Sequence, residues 1–90
     1  MAVLPESEVR SRLGELTGWD WVENAIRRVY SFDSFTEAMG FVFRVAVVAE
    51  AAGHHPDVLI EYNRVTLTLS THSEGGVTQR DMELAARLAQ

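Results

Sequence analysis

The sequence predicts an α+β domain: a four-stranded antiparallel sheet with three helices on one face, in the order α-β-β-α-β-β-α. Two segments alternate apolar and polar residues with period two, and three others repeat apolar residues at helical spacing. Two pairs with the spacing of a helix start, Ser34 with Glu37 and Thr78 with Asp81, separate these segments. No linker, low-complexity tract or repeat divides the chain, so we expect residues 1–90 to form one domain.

The segment LPESEVRSRLGELTGW predicts the first helix. Pro5 stands near its start, acidic residues occupy the first turn, and Gly18 is the expected stop. The residues expected to face inward are Val9, Leu13 and Leu16. We expect this helix to be short and to pack through one face.

The next segment, WDWVENAIRRVYSFDSF, predicts a β-hairpin with Glu23-Asn24 at its turn. The apolar residues that follow the period of a strand are Trp19 and Trp21 before the turn, and Ile26, Tyr30 and Phe32 after it. Tryptophans that flank a first strand usually belong to the core, although they could also form an aromatic wall for a ligand.

A long helix is predicted from the Ser34–Glu37 pair to Gly53. Its expected inward residues are Ala38, Val42, Val45, Ala46 and Ala49. Phe41, Phe43 and Val47 make other parts of its surface apolar. We therefore expect this helix to meet another subunit or to be deeply buried.

A second hairpin is predicted from Val58 to Thr71, with Asn63-Arg64 as a two-residue turn. This register pairs Tyr62 with Val65, Ile60 with Leu67 and Val58 with Leu69 on one apolar face. The other face pairs Glu61 with Thr66 and Leu59 with Thr68, and is mostly polar. A last helix then opens at Thr78–Asp81, with Met82, Ala85, Leu88 and Ala89 inward.

Composition restricts the class of protein. The formal charge is −5 and the eight basic residues, all arginine, are scattered, which argues against direct nucleic-acid binding. No apolar run approaches the ~20 residues that span a bilayer, and no secretory signal is present, so we expect a cytoplasmic protein. The chain has no cysteine and is short, so oligomerisation is the expected supplement to its small core.

The three histidines of the chain are candidates for chemistry. His54 and His55 precede Pro56, and the predicted register, extended, places His55 opposite His72. The three imidazoles would gather at one end of the hairpin, beside the end of the long helix that carries Glu50. They could be incidental surface polarity or metal ligands. Acid/base catalysis suits them better, because imidazole titrates near neutral pH and no cysteine or close carboxylate completes a metal set.

These residues complete a recognisable pattern. Its elements are Gly18-Trp19, the stretch FTEAMGFVFRVAVVAE, Glu50, His54-His55-Pro56, Tyr62, Ser70-Thr71-His72 and Asp81. With this spacing, the sequence resembles the pterin-4a-carbinolamine dehydratases, which are also known as dimerisation cofactors of a homeodomain transcription factor. The resemblance covers nearly the whole chain, so residues 1–90 are expected to form a single domain of this type.

The resemblance implies dehydration of 4a-hydroxytetrahydropterin to quinonoid dihydropterin and water, in recycling of tetrahydrobiopterin for aromatic amino acid hydroxylases. It implies no metal or organic cofactor. It also implies that His54 and His72 are the acid and base, which of them is which being open, and that His55 chiefly positions the pterin.

The resemblance implies further contacts to the pterin from residues around the histidines, namely Glu50, Pro56, Asp57, Ser70, Thr71 and Asp81. A carboxylate of this set could orient an imidazole or meet the amino-pyrimidine edge of the pterin, and Asp81 could equally be an ordinary helix-start residue. The family often has an aromatic residue after His-His-Pro-acid, where this chain has Val58 and Leu59.

A second function remains open at this point, because fold alone does not fix function. The same scaffold could serve as a binding or assembly protein, either a transcriptional coactivator or a chaperone-like factor. The retained histidines favour the enzyme, whereas the apolar surface of the long helix suits either a homodimer or homotetramer or a foreign partner.

Overall fold

The structure, a computed structural model, describes residues 2–88 and confirms the predicted order of elements. The elements are α1 (Glu6–Leu13), β1 (Asp20–Val22), β2 (Ala25–Ser31), α2 (Phe35–Ala52), β3 (Asp57–Glu61), β4 (Arg64–Leu69) and α3 (Gln79–Arg87). The four strands form one antiparallel sheet in the order β1-β2-β4-β3. β3 therefore lies at one edge of the sheet.

The first helix is shorter than predicted. It ends at Leu13 with Gly14 as its C-cap, and not at Gly18. Glycine lowers helix propensity, and i→i+3 hydrogen bonds carry the chain from Gly14 through Leu16 towards β1. Gly18 has a φ of +92°, so it serves the turn before the first hairpin.

The first hairpin has its turn at the predicted place. Glu23 and Asn24 both have positive φ, 48° and 64°, which suits a two-residue hairpin turn. Trp21 pairs with Ile26 across it. Trp19 is 3% exposed and belongs to the core, so it forms no wall for a ligand.

The long helix begins and ends as predicted. The Ser34 hydroxyl accepts a hydrogen bond from the Glu37 amide at 3.1 Å, and Gly53 caps the end in the left-handed conformation. Ala38, Val45 and Ala49 are buried and Val42 is half-buried, as expected, but Ala46 is exposed, which corrects that prediction. Phe41 is buried in its place, because the 3.6-residue period puts it in line with the other three.

The second hairpin exists, but its predicted register is wrong by two residues. The turn is Tyr62-Asn63, and Val58 pairs with Leu67 and Ile60 with Val65. Asn63 stays in the turn, where its side-chain amide donates a hydrogen bond to the Phe32 carbonyl at 2.8 Å. A shift of two residues keeps every side chain on its predicted face.

The core lies between the sheet and the helices. Buried residues of α1, α2 and α3 meet one face of β2 and β4 in a single cluster. α3 begins with the predicted capping box between Thr78 and Asp81, and Met82, Ala85 and Leu88 are buried as predicted. Ala89 falls outside the described residues.

No helix in the described range 2–88 has the length and apolar character to cross a membrane.

Candidate functional site

The three histidines line one cleft of about 340 Å³ at the end of the sheet. The cleft lies where the end of α2, the loop after β4 and the start of α3 meet. Its lining residues are Gly53, His54, His55, Pro56, Asp57, Ser70, Thr71, His72, Ser73 and Arg80. The sequence thus predicted correctly that His54, His55 and His72 come together.

The reason for this convergence differs from the predicted one. β3 begins only at Asp57, and in the observed register an extension of the ladder would put Ser70 opposite His55, so the predicted pairing of His55 with His72 is wrong. His72 instead lies in the turn after Thr71, which the bridge between Thr71 and Gly76 closes. The turn brings His72 to the cleft from the side of β4.

His54 is held from behind by Asp81. Nε2 of His54 lies 2.5 Å from Oδ1 of Asp81, and Asp81 has no exposed surface. Oδ2 of Asp81 accepts hydrogen bonds from the Thr71 hydroxyl and the Thr78 amide, each at 2.8 Å. One oxygen of the carboxylate therefore holds the imidazole, and the other closes the capping box of α3.

This contact fixes the roles of the ring nitrogens of His54. With an ionised Asp81, Nε2 carries the proton that the carboxylate accepts, and Nδ1 is left to exchange a proton with a ligand. Among residues 2–88, Nδ1 has no hydrogen-bond partner. His54 is only 9% exposed, so one edge of the ring is all that a ligand could reach.

His55 makes a different and more open contact. Its Nε2 lies 2.7 Å from Oε1 of Glu50, and the side chains are 61% and 81% exposed. A contact so exposed contributes little to stability, because water and salt screen it. Glu50 lies beside the cleft and does not line it. The pair orients the His55 ring without burying it.

His72 is exposed, and within residues 2–88 its side chain has no hydrogen-bond partner. Among the other predicted site residues, Pro56, Asp57, Ser70 and Thr71 line the cleft. Asp81 does not line it, because it is buried behind His54.

Two residues of the site were not predicted as site residues. The Thr78 hydroxyl donates a hydrogen bond to the Thr71 hydroxyl oxygen at 2.7 Å, since the Thr71 proton goes to Asp81, and Arg80 lines the cleft. Both flank Asp81 in the first turn of α3, so the capping-box spacing was the signal that could have indicated them.

The alternative of a metal site gains no support from the geometry. In the part of the chain that the structure describes, no group of three or more His, Cys, Asp or Glu residues is placed to hold a metal ion. The three imidazoles share a cleft but do not converge on one point.

Comparison with known proteins matches nearly the whole chain. The family described as Pterin 4 alpha carbinolamine dehydratase matches residues 2–90. Curated proteins of Roseiflexus castenholzii and Thermomicrobium roseum, both with the provisional name pterin-4-alpha-carbinolamine dehydratase, are each 51% identical to it. These alignments cover 97% and 100% of this chain, and 94% and 97% of the relatives.

Solved structures share the fold. A transcriptional coactivator/pterin dehydratase from Brucella melitensis superposes with a TM-score of 0.90 at 43% identity, covering 97% of this chain and 95% of the other. A pterin dehydratase-like protein described as a RuBisCO assembly factor in the alpha-carboxysome has a TM-score of 0.64 at 19% identity, covering 79% and 82%. The second likeness concerns the fold alone.

Proposed function

Because the chain belongs to the pterin 4 alpha carbinolamine dehydratase family, we propose that it dehydrates 4a-hydroxytetrahydropterin to quinonoid dihydropterin and water. One observation carries the proposal. Three imidazoles line a single cleft, and a fully buried carboxylate orients one of them. Loss of water from such a substrate needs one proton donor and one proton acceptor, and imidazole serves as either near neutral pH.

The proposed reaction proceeds by general acid/base catalysis. The N5 lone pair of the pterin expels the C4a hydroxyl as an acid protonates the leaving oxygen, and a base removes a ring proton as the quinonoid system forms. His54 and His72 act as this acid and base. They lie on different chain segments that meet at the cleft, so they can reach the substrate from different sides.

The other residues of the cleft bind and orient. His55, oriented by Glu50, positions the pterin, and Pro56, Asp57, Ser70 and Thr71 form the walls that it contacts. Asp81 acts on His54 and not on the pterin, because none of its surface is exposed and both its oxygens have partners. The proposed reaction needs no metal or organic cofactor, since the N5 lone pair of the substrate expels the hydroxyl and side chains can carry both proton transfers.

The product of this reaction is the oxidised form of a pterin cofactor. We propose that the enzyme serves tetrahydrobiopterin recycling, in which an aromatic amino acid hydroxylase is one source of the carbinolamine, and that it acts in the cytoplasm.

The direct test is the dehydration of freshly generated 4a-hydroxytetrahydropterin, followed by absorbance. The reaction also proceeds without enzyme, so the rate without protein is the baseline. Acceleration in proportion to protein concentration is the expected result. A folded protein that leaves the baseline unchanged would rule out the enzyme.

We also propose that the chain forms a homodimer or homotetramer through α2 and the edge strand β3. Phe43 and Val47 on α2 are 70% and 56% exposed, and Val58 and Ile60 on the helix-facing side of β3 are 41% and 36% exposed. Such apolar surface, next to an unpaired strand edge, is what a second copy would cover.

The same exposed residues of α2 favour one alternative function, a non-catalytic binding or assembly protein. The Brucella melitensis relative is described as both a transcriptional coactivator and a pterin dehydratase. Under this alternative, a Phe43 or Val47 substitution would abolish the biological activity, and substitution of all three histidines would not. If the protein is the proposed enzyme, substitution of the three histidines should reduce its activity more than substitution of Phe43 or Val47.

A further inference from the structure

Arg80 connects α3 to the end of α2. It lies in the first turn of α3, and its Nη2 donates a hydrogen bond to the Gly53 carbonyl at 2.6 Å. Gly53 is the C-cap of α2, and α2 has no basic residue in its own last turn. The carbonyl end of a helix carries partial negative charge, so the guanidinium of Arg80 supplies from another helix the cation that α2 lacks.

A second contact joins the same two segments of the chain. Asp81, the next residue, holds the side chain of His54, and His54 is the next residue after Gly53. Arg80 thus holds the carbonyl of Gly53, and Asp81 holds the imidazole of His54.

The hydrogen bond from Arg80 acts on a rigid unit, the peptide group between Gly53 and His54. The Gly53 carbonyl and the His54 amide belong to the same peptide plane. Arg80 holds the oxygen of this plane, and the Ala49 carbonyl accepts a hydrogen bond from its N–H at 3.2 Å. Fixing both ends of the plane sets the backbone from which the imidazole of His54 extends. The left-handed conformation of Gly53, with a φ of 65°, gives this plane its direction.

Arg80 also separates two cavities. On one side it lines the histidine cleft, and on the other it lines a second cavity of about 210 Å³. His54 borders both cavities as well. Glu83 and Arg87, from the same face of α3, line only the second cavity of these two. Removing the guanidinium would therefore join the two spaces beside His54 and leave the Gly53 carbonyl to water.

We propose that Arg80 is a positioning residue for the dehydration: its guanidinium holds the Gly53–His54 peptide so that His54 meets the substrate in a fixed orientation. This inference rests on the proposed function, because it concerns a residue that acts through the His54 imidazole. Arg80 should therefore stabilise the transition state, in which the proton moves, and should not contribute to ground-state binding of the pterin.

The test compares Arg80→Ala and Arg80→Lys with Arg87→Ala, which removes an arginine of the second cavity that does not line the cleft. Arg80→Ala is expected to lower kcat roughly 10- to 100-fold with KM nearly unchanged, the effect of a small misplacement of a reacting group. Arg80→Lys keeps a donor and a charge and should recover part of the loss. Added methylguanidinium should restore part of kcat in Arg80→Ala, and Arg87→Ala should keep the wild-type kcat.

A second readout does not depend on activity. ¹⁵N and ¹H NMR measure the exchange of the His54 Nε2 proton with solvent, and the resonance of this proton is assigned by its absence in the spectrum of His54→Ala. The exchange should be slow in the wild type and faster in Arg80→Ala. An unchanged kcat together with unchanged exchange would overturn the inference. A raised KM with unchanged kcat would also overturn it, because Arg80 would then bind substrate. If the wild type itself fails to dehydrate the pterin, the proposed function fails, and the exchange rates still decide whether Arg80 holds His54.

Discussion

Nε2 of His54 and Oδ1 of Asp81 lie 2.5 Å apart, although the two residues are 27 positions apart in the sequence. The same carboxylate closes the capping box of α3. A residue that starts a helix therefore also orients an imidazole of the candidate site. The capping-box contact is local to α3, whereas the contact with His54 forms only when the end of α2 packs against α3, so the packing of the two helices orients the imidazole.

Asp81→Asn is expected to lower kcat by at least about 10²-fold while the protein stays folded. The amide keeps the shape of the side chain but cannot accept from His54 and Thr71 as the carboxylate does, so the imidazole loses its fixed tautomer. Asp33→Asn, the same change at an exposed position outside the site, is the matched control for kcat.

Asp81→Ala should, in addition, destabilise the protein by about 3 kcal/mol, because it leaves buried hydrogen-bond donors without a partner. Urea unfolding measures this loss. Equal activity of Asp81→Asn and the wild type would contradict the assigned role.

His54→Ala and His72→Ala are each expected to lower the dehydration rate by roughly 10²-fold or more, the range of general acid/base catalysis. Single-turnover absorbance kinetics on each variant measure the effect, with circular dichroism to confirm folding. His72 is exposed, so its substitution should leave stability nearly unchanged. Wild-type rates in both variants would refute the mechanism.

The free energy of unfolding should fall as pH rises above about 10, in part because of Tyr30. Burial raises the pKa of the Tyr30 phenol above its ordinary value, and the Arg28 guanidinium only partly offsets this. Above the pKa of the unfolded chain, the unfolded state loses a proton that the folded state keeps, so unfolding is favoured. Urea denaturation between pH 9 and 11 measures the slope, and the total loss of stability is roughly 1.4 kcal/mol for each unit by which the folded pKa exceeds the unfolded pKa.

Tyr30→Phe should flatten this slope, and it costs little else because the Tyr30 hydroxyl bonds the Leu88 carbonyl only at 3.4 Å. Tyr62→Phe, which removes a phenol that is 69% exposed, is the control and should keep the wild-type slope. The chain has no lysine, so few other groups titrate in this range. A wild-type slope in Tyr30→Phe would show that Tyr30 is not its source.

Phe43→Glu is expected to dissociate the homo-oligomer, because it places a charge in the apolar surface of α2 that a second copy would cover. Sedimentation velocity measures the mass in solution. Val29→Glu is the matched control, since Val29 is 52% exposed on β2, outside the proposed interface. A monomeric wild type, or an unchanged mass for Phe43→Glu, would count against the interface.

Local signals predicted most of the fold. The two capping pairs and the Glu23-Asn24 turn act over three or four residues, so the sequence contains everything that decides them. The register of the second hairpin could not be decided in this way, because a shift of two residues keeps the same apolar residues on the same face. Asn63 lies in the turn in both registers, and in the observed one its amide bonds the carbonyl of Phe32, which lies beyond the end of β2.

The sequence predicted which histidines form the site, but it did not predict how they are arranged. His54, His55 and His72 share a cleft even though the register that suggested it was wrong, because the turn after Thr71 returns His72 to the end of α2. Two features depend on how α2 packs against α3: Asp81 lies buried behind His54, and Arg80 holds the Gly53 carbonyl. The apolar period of a helix indicates which of its faces is buried, but not which residues of another helix that face contacts.

The most direct test of the histidine mechanism is the rate of carbinolamine dehydration by the wild type and by the variant in which His54, His55 and His72 are all alanine, at equal concentrations of folded protein. We predict that the wild type accelerates the reaction well above the rate without protein and that the triple variant does not. Equal acceleration by both proteins would contradict catalysis by the three histidines.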